Sequence, residues 1–507
     1  MKTNIRTNVI VNIVRTLVLT FLSFITFPWV CRYLKDSAVG LYTWANTFVS
    51  YFLILAKVGI PNLAVRECVK VRDNKELLSN KVQTFFIIQG IATIISFGLM
   101  CATVYSVPEL RTNSSLIFIL AINFLAGAFS FEWVFIALEK QFYMSVRSII
   151  CLALSAFLII TFVTTPSDIY IYAFLTILVT VTTIIINCFY IGKYVSFKKT
   201  MPYSFKELVK PLTILFLLSF AVSLYNQTDT FILGFLDPNK TEVASYSVGV
   251  KGIDIVIGVI TALSTVFIPR ANYYYSVEDK KYFNNLTKYS INICMFIVLP
   301  AIVTMSILSK EICGLISGTY DYQSISDSGY INAPTVLIIL ASMMLTYSLG
   351  DIIYGQVLLP MKKEKYYLFT ILLGTLLNGV LSIILGAFVF KENPSIGVAI
   401  GTVATDALII IVLLSLTWKW TKKAIFNKNS LKLIIGNIIL VGTTFLVKYL
   451  VSLIATHFSF SLPLTYIIEI VSVIIVDAII YVIFLAIIKE DLVYSFIRNK
   501  KEKQEIL

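Results

Sequence analysis

The chain consists mainly of about fourteen long apolar runs, each long enough to cross a lipid bilayer as one helix. Lipid offers the backbone no hydrogen bonds, so only helices and closed barrels can span it. Barrel strands are short and alternate polar with apolar residues, whereas these runs are continuous. We therefore predict an all-α polytopic membrane protein. The predicted spans cover residues 9–31, 40–63, 83–105, 115–138, 148–165, 170–190, 212–236, 243–268, 289–309, 334–357, 367–390, 396–417, 433–454 and 464–487.

The distribution of positive charge predicts the orientation in the membrane. The formal net charge is +13, and most of the 41 Lys and Arg residues fall in alternate loops, beginning with the N-terminal segment. Loops rich in Lys and Arg stay on the cytoplasmic side. We therefore expect both termini in the cytoplasm. We also expect the basic loops to contact anionic membrane lipids rather than nucleic acid.

Short internal matches predict two related halves. Val39–Tyr42, opening the second span, resembles Val243–Tyr246, opening the eighth, and Arg66 and Arg270 follow these spans at equal distances. A displacement of six spans preserves orientation, which is typical of parallel repeats in transporters. We predict an N-lobe of helices 1–6, a C-lobe of helices 7–12, and helices 13–14 with a cytoplasmic tail. These regions cover residues 1–200, 201–425 and 426–507.

Ionisable residues inside the spans indicate a hydrated interior. A charge near the bilayer centre costs about 2.5–3.5 kcal/mol on insertion scales, so most of these side chains should face water or each other. We therefore predict a polar cavity between the lobes. The intramembrane charges are Arg15, Lys57, Glu132, Asp229, Lys251, Asp254, Asp351, Asp406, Lys448, Glu469 and Asp477.

Two patterns within this set give different expectations. Lys251 and Asp254 are three residues apart on one helix face, so they can neutralise each other or line the cavity. Asp229 lies in a polar run with Asn226 and Gln227 inside an otherwise apolar span. An acid surrounded by amides and hydroxyls is expected to line water, an ion or a substrate.

The motifs of catalysis are missing from the sequence. It contains no Walker A loop, DxD, HExxH or GxSxG motif, and its cysteines lack metal-site spacing. We therefore expect a transporter rather than an enzyme, with no metal and no cofactor. Transport would draw on an ion gradient, with H⁺ or Na⁺ as the coupling ion, on the membrane potential or on the substrate gradient.

Several segments follow one another in the order found in a known family. They are Tyr33–Tyr42, Gly59–Pro61, Phe131–Lys140 and Ile268–Arg270, with Asp229, Leu233 and Gly234 between the last two. The run Phe131–Lys140 contains an acidic residue before Trp133, and Ala137 stands where a glycine is common. In this order, and across essentially the whole chain, the sequence resembles Wzx-type oligosaccharide flippases.

The resemblance implies a MATE-like fold of the multidrug/oligosaccharidyl-lipid/polysaccharide superfamily, with two six-helix lobes. The implied substrate is an undecaprenyl-diphosphate-linked oligosaccharide repeat unit. It would move from the inner to the outer leaflet of the bacterial plasma membrane by alternating access, for capsule, O-antigen or exopolysaccharide assembly. A polysaccharide polymerase and glycosyltransferases are the expected protein partners.

Such a substrate gives the intramembrane charges candidate roles. We expect Arg15, Lys57 and Lys251 to contact the diphosphate, because cations in a wet cavity can replace its water and arginine can do so bidentately. Asp229 would contact sugar or couple to an ion. The remaining candidates are Asn226 and Gln227 for substrate, Asp254 and Glu132 as cavity acids, and Arg66 and Arg270 as a cytoplasmic gate or as helix anchors.

Two alternatives share the expected fold. A MATE-type ion-coupled multidrug antiporter would have a cavity dominated by carboxylates, and the spans do contain more acids than bases. However, the first two spans contain only the cations Arg15 and Lys57, which favours an anionic lipid substrate. A peptidoglycan-precursor lipid flippase is the second alternative, although the pattern around Glu132 and Trp133 favours the Wzx family.

Overall fold

The computed structural model describes residues 5–127, 130–198, 202–203, 205–320 and 329–497. Within these ranges the protein contains helices and no strands, as predicted. The chain divides into two compact units, Met1–Thr241 and Glu242–Leu507. The predicted lobe boundary at residues 200 and 201 lies outside the described residues, and the assignment of lobes stays a prediction.

The first unit is organised around one very long helix. This helix, α1, packs against α3, α5, α7 and α9, while α2 contacts α6 and α9. The helices are α1 Ile5–Lys57, α2 Ile60–Val71, α3 Lys75–Ser106, α4 Pro108–Thr112, α5 Ser114–Gly127, α6 Glu132–Ala137, α7 Gln141–Phe162, α8 Ile169–Ile191 and α9 Lys206–Leu236, with a 3₁₀ turn at Pro166–Asp168.

The second unit contains the remaining helices, with α16 packed against α11, α13, α14 and α15, and α17 packed against α11 and α18. Two stretches, Ile353–Leu358 and Leu385–Val389, are π-helical. The α-helices are α10 Thr241–Ser276, α11 Lys280–Ile307, α12 Ser309–Ser317, α13 Ala333–Ala341, α14 Met343–Ile352, α15 Glu364–Ile384, α16 Pro394–Ile425, α17 Lys428–His457, α18 Leu462–Ile487 and α19 Asp491–Ile497.

Local sequence signals set several helix ends. Asn74 precedes α3, and its Oδ1 accepts hydrogen bonds from the backbone N–H groups of Glu76 and Leu77 at 3.0 and 3.1 Å. Asn427 caps α17 in the same way. Such caps satisfy donors that have no partner inside the helix. Pro394 begins α16, where a missing N–H costs nothing.

The predicted number of fourteen spans is not confirmed. Among the described residues, 11 helices are long and apolar enough to cross a membrane, or up to 12 if Ala333–Ala341 and Met343–Leu358, bent by 42°, form one span. Most of the first two predicted spans lies in the single helix α1, which is interrupted by the backbone of Lys35 at φ 61 and ψ 177. The second span also crosses the break at Val58 and Gly59, after which α2 begins. The predicted span 115–138 breaks into α5 and the six-residue α6. The spans of this fold therefore do not all correspond to single uninterrupted helices.

The outer surface of the helices is apolar. Ile94, Phe189 and Phe388 are 74%, 84% and 78% exposed, and many other large apolar side chains are exposed as well. An apolar surface this extensive is incompatible with water but suits hydrocarbon. The protein is a multi-pass membrane protein.

Candidate functional site

An ion pair inside the first unit is the centre of its polar interior. Glu132 is the first residue of α6, and Arg147 lies in the second turn of α7. The Arg147 Nη2 donates to Glu132 Oε1 at 2.5 Å. The arginine side chain is 3% exposed and the glutamate side chain 39% exposed. The cation is therefore buried in the protein, while its carboxylate partner is partly accessible.

The aromatic residue after Glu132 fixes the position of that carboxylate. Trp133 is buried and packs edge-on against Phe85 with ring centroids 5.8 Å apart. It belongs to an apolar cluster that also includes Phe135 of α6 and Ile60 of α2. Because α6 has only six residues, this packing rather than helix length must hold it in place. The packing of Trp133 therefore anchors a short helix whose first residue is Glu132.

Arg147 is held by further partners that do not involve Glu132. Its Nη1 donates to Asn187 Oδ1, which also accepts from the Tyr143 hydroxyl at 3.0 Å. Asn187 is fully buried, and its Nδ2 donates to the Ser130 carbonyl at 2.5 Å. The guanidinium carbon lies 5.6 Å from the centre of the Tyr143 ring. This network fixes the guanidinium in advance of any ligand.

Two more cations, both on α1, lie within electrostatic range of this ion pair. The carboxylate of Glu132 attracts both Arg15 and Lys57 electrostatically, and Arg147 repels Arg15. The Arg15 Nε is buried, and it has no hydrogen-bond partner among the residues that the structure describes. We call Arg15, Lys57, Glu132 and Arg147 the ionic cluster. It contains three cations and one carboxylate, so it carries an excess of positive charge within an apolar helix bundle.

The last residues of the run Phe131–Lys140 make a separate contact. The Arg72 Nη1 donates to Glu139 Oε1 at 2.6 Å, joining the turn after α2 to the turn after α6. This hydrogen bond raises the pKa of Arg72 above its usual value. Both side chains are exposed, so water screens the pair and it adds little stability. Its role is to connect the two turns.

The predicted polar run on α9 faces α1 in the same unit. Asp229 is 6% exposed and interacts electrostatically with Tyr51 of α1, whose hydroxyl hydrogen-bonds with Thr228. The Gln227 Nε2 donates to the Ser223 hydroxyl at 2.8 Å, and Asn226 is exposed. The prediction that these residues contact substrate is not tested by their placement.

The remaining predicted site residues lie in other surroundings. Lys251 and Asp254 form the predicted i,i+3 pair on α10, with 3.9 Å between Nζ and Oδ2. Arg270, near the end of α10, lines an open cleft of about 540 Å³ with Pro269, Tyr273 and Tyr274. Arg66 is exposed on α2. The diphosphate role of Lys251 and the gate roles of Arg66 and Arg270 stay predictions.

Several acids of the later helices have partners within the second unit. Lys448 lies 2.8 Å from Glu311 of α12, and both interact electrostatically with Glu469. Asp477 accepts hydrogen bonds from the hydroxyls of Thr443 and Thr444, at 2.7 and 2.5 Å. These acids connect α12, α17 and α18, so a large carboxylate count is not by itself evidence for a cation-binding cavity. Asp351 lies near the Ser264 hydroxyl, and Asp406 is buried.

Sequence reasoning missed Arg147. The residue immediately precedes the predicted span 148–165 and so belongs to a predicted loop, yet it is buried and paired with Glu132. A signal was present, because Glu132 inside a predicted span requires a cationic partner. Glu311 was missed for the same reason, since it lies beyond the predicted span 289–309.

A polytopic helical protein with charged side chains held inside apolar bundles has the architecture of a membrane transporter. The chain belongs to the polysaccharide biosynthesis protein family, whose profile it matches over residues 5–272. It is also 23% identical over 399 residues to a protein of Escherichia coli (strain K12) named "Putative O-antigen transporter", covering 78% of this chain and 92% of that protein. The predicted family relationship is confirmed.

Two solved structures share the fold. The first is the lipid II flippase MurJ in an inward closed conformation, with a TM-score of 0.69, 17% identity, and coverage of 95% of this chain and 99% of that one. The second is an inward-facing multidrug resistance MATE family transporter of the MOP superfamily, with a TM-score of 0.58, 14% identity, and coverage of 81% and 99%. At these identities they establish the fold alone, and the predicted MATE-like fold is confirmed.

Proposed function

We propose that this protein is a flippase for a lipid-linked oligosaccharide. It translocates an undecaprenyl-diphosphate-linked repeat unit from the inner to the outer leaflet of the bacterial plasma membrane. The repeat unit then enters capsule, O-antigen or exopolysaccharide assembly. Membership of the polysaccharide biosynthesis protein family supports the pathway, and the similarity to a protein named as an O-antigen transporter supports the class of cargo.

The ionic cluster is the observation that carries this proposal. One carboxylate, Glu132, pairs with Arg147 and attracts Arg15 and Lys57 inside an apolar bundle. Each such charge is costly in a membrane unless an opposite charge or water stabilises it. A diphosphate is anionic and accepts many hydrogen bonds, so it suits this excess of positive charge. An amphiphilic drug cation would be repelled by the same cluster.

We assign the diphosphate contacts to Arg15, Lys57 and Arg147, with Lys251 as a further contact. The two arginines can each present two parallel N–H groups to phosphate oxygens, whereas the lysines act as point charges. Asn187 and Tyr143 already hold the guanidinium of Arg147 in place.

The polar run on α9 would contact the other end of the headgroup. Asn226 and Gln227 offer amide donors and acceptors to sugar hydroxyls. Asp229, buried beside Tyr51, serves as a sugar contact or as the acid that binds the coupling ion, H⁺ or Na⁺. Asp254 is a further candidate acid, and Arg66 and Arg270 are proposed to close a cytoplasmic gate.

The transport mechanism follows from the chemistry of the cargo. The polyprenyl chain is apolar and can remain in the lipid, so only the diphosphate and the sugars need a polar path. Two lobes that alternately expose this path to each side would move the headgroup without opening a continuous pore. Both termini would lie in the cytoplasm, where a glycosyltransferase supplies the cargo; a polymerase would use it on the outer side.

The test is a transport assay on reconstituted protein. Proteoliposomes with undecaprenyl-diphosphate-linked oligosaccharide in both leaflets are exposed to a membrane-impermeant reagent that oxidises outer-leaflet sugars. Active protein should make the inner pool accessible over time. Arg15→Met, Lys57→Met and Arg147→Met should each slow this step about ten- to hundredfold, because each removes charge-assisted hydrogen bonds of about 1.5–3 kcal/mol.

A matched control separates the cluster from general loss of positive charge. Arg111 is exposed in the last turn of the short helix α4, and Arg111→Met removes a cation to which no role is assigned. This variant should transport like the wild type. Normal transport by all three cluster variants, at normal protein levels, would refute the proposed function.

A peptidoglycan-precursor flippase is the second candidate, and the fold similarity to MurJ favours it. Its cargo also carries a diphosphate, so the ionic cluster suits both. Offering the proteoliposomes lipid II alone and the oligosaccharide lipid alone separates the two candidates. We expect transport of the oligosaccharide lipid to be the faster.

A further inference from the structure

Glu132 is the only carboxylate in the ionic cluster, and its position is unusual for a structural counter-ion. Its partner Arg147 is buried and fixed, but the Glu132 side chain is 39% exposed. Lys57 and Arg15 are also drawn to this same carboxylate. The acid therefore occupies the place at which an incoming anion would meet the cations.

The guanidinium does not depend on Glu132 for its orientation. Asn187 accepts from Nη1, and the Tyr143 ring lies beneath the guanidinium. Asn187 is in turn held by the Ser130 carbonyl. If the carboxylate leaves, Arg147 keeps these contacts and presents its Nη2 group to another acceptor. The binding groups are therefore preorganised, and only the anion needs to change.

We propose that Glu132 is a displaceable counter-ion, whose ion pair with Arg147 is taken over by the diphosphate of the cargo when it binds and is restored when it leaves. This inference rests on the proposed function and concerns the regulation of the same site. Between cycles the carboxylate neutralises part of the positive charge, which would otherwise be uncompensated in an apolar bundle. During release it competes with the diphosphate for the same N–H groups.

The competition has a direct consequence for affinity and rate. A carrier must let go of its cargo in every cycle, and three preorganised cations without a competing anion would hold a diphosphate too long. Removing the charge of Glu132 should therefore strengthen binding and slow release. A purely structural acid would have a different signature, because its loss would weaken binding by disordering the site.

The experiment measures binding and transport of Glu132→Gln in the full-length protein. The protein is placed in nanodiscs of phosphatidylcholine, so that no anionic lipid competes, and titrated calorimetrically with farnesyl diphosphate. We expect Glu132→Gln to bind this probe on the order of tenfold more tightly than the wild type, while its transport in proteoliposomes is slower. Asp73→Asn, which neutralises an exposed acid after α2, should change neither quantity.

A second variant keeps the proposal testable if Glu132→Gln folds poorly. Glu132→Asp keeps the charge but shortens the reach to Arg147, so its affinity should lie between those of the wild type and Glu132→Gln. Affinity equal to or weaker than that of the wild type in both variants overturns the counter-ion proposal. The proposed function still stands after that outcome if the wild type binds the probe and Arg147→Met does not. Only the counter-ion proposal then fails. Failure of the wild type to bind any diphosphate would refute both the counter-ion proposal and the proposed function.

Discussion

Gly40 offers a sharp test of how the first unit is packed. It lies on α1 just after the break at Lys35, and a Cβ atom built on it would lie 1.8 Å from the carbonyl oxygen of Lys240. That carbonyl cannot move aside easily. The Lys240 side chain is buried, and its Nζ donates to Glu109 Oε1 at 2.6 Å and to the Gly234 carbonyl at 2.5 Å. It also lies 4.6 Å from the centre of the Trp44 ring.

The expected change in the free energy of unfolding follows from these distances. Adding a methyl group to a tightly packed site costs about 1–3 kcal/mol, and sometimes more, because neighbouring atoms must shift. Here the obstructing atom is backbone, and moving it strains a buried lysine with three partners. We therefore expect Gly40→Ala to lower the free energy of unfolding by about 3 kcal/mol, at the upper end of this range.

The matched control is Gly90→Ala. Gly90 is also helical, on α3, but a Cβ there meets no atom of the described residues within 4 Å, apart from its chain neighbours and its own helix backbone. Alanine favours a helix over glycine by about 0.8–1.0 kcal/mol, so this variant should be slightly more stable. Thermal unfolding of the purified proteins in detergent measures the difference. Gly40→Ala that unfolds at the same temperature as Gly90→Ala would refute the packing argument.

Three further substitutions test individual side chains. Lys448→Met leaves Glu311 without its cation and should lower the free energy of unfolding by about 3 kcal/mol. Adding Glu311→Gln should restore part of this loss. Equal stability of the wild type, the single variant and the double variant would contradict the argument. Thr444→Val removes a hydrogen bond to Asp477 and should cost about 1–2 kcal/mol in chemical unfolding. The cost should exceed that of Ser452→Ala, at a half-buried position two turns further along the same helix. Asp229→Asn should slow flipping at least about tenfold while the melting temperature stays unchanged; normal flipping would exclude its proposed role.

The apolar runs predicted the fold class because lipid imposes helices on any spanning segment. They could not predict every helix boundary. Nothing in the local composition distinguishes the continuous α1, broken only at Lys35, from two separate spans. The division of the span 115–138 depends on the packing of α6 into an apolar cluster, which run length does not encode.

The site was predictable in part. Counting charges inside the spans identified Arg15, Lys57 and Glu132, which the structure brings together. Arg147 lies outside the predicted spans, and the only signal for it was the need of Glu132 for a cationic partner. Its hydrogen bond to Asn187, forty positions away in sequence, has no local sequence signal. The pairing of Lys251 with Asp254 was accessible because helix geometry alone places residues i and i+3 side by side.

The two π-helical stretches, Ile353–Leu358 and Leu385–Val389, have a consequence for how sequence maps onto surface. A π turn accommodates an additional residue, and each residue of a helix rotates the direction of its side chain by about 100°. Residues spaced to lie on one face of the helix before such a turn therefore lie on a different face after it. Gln356 is fully buried and lies within the first stretch, where this change in side-chain direction occurs.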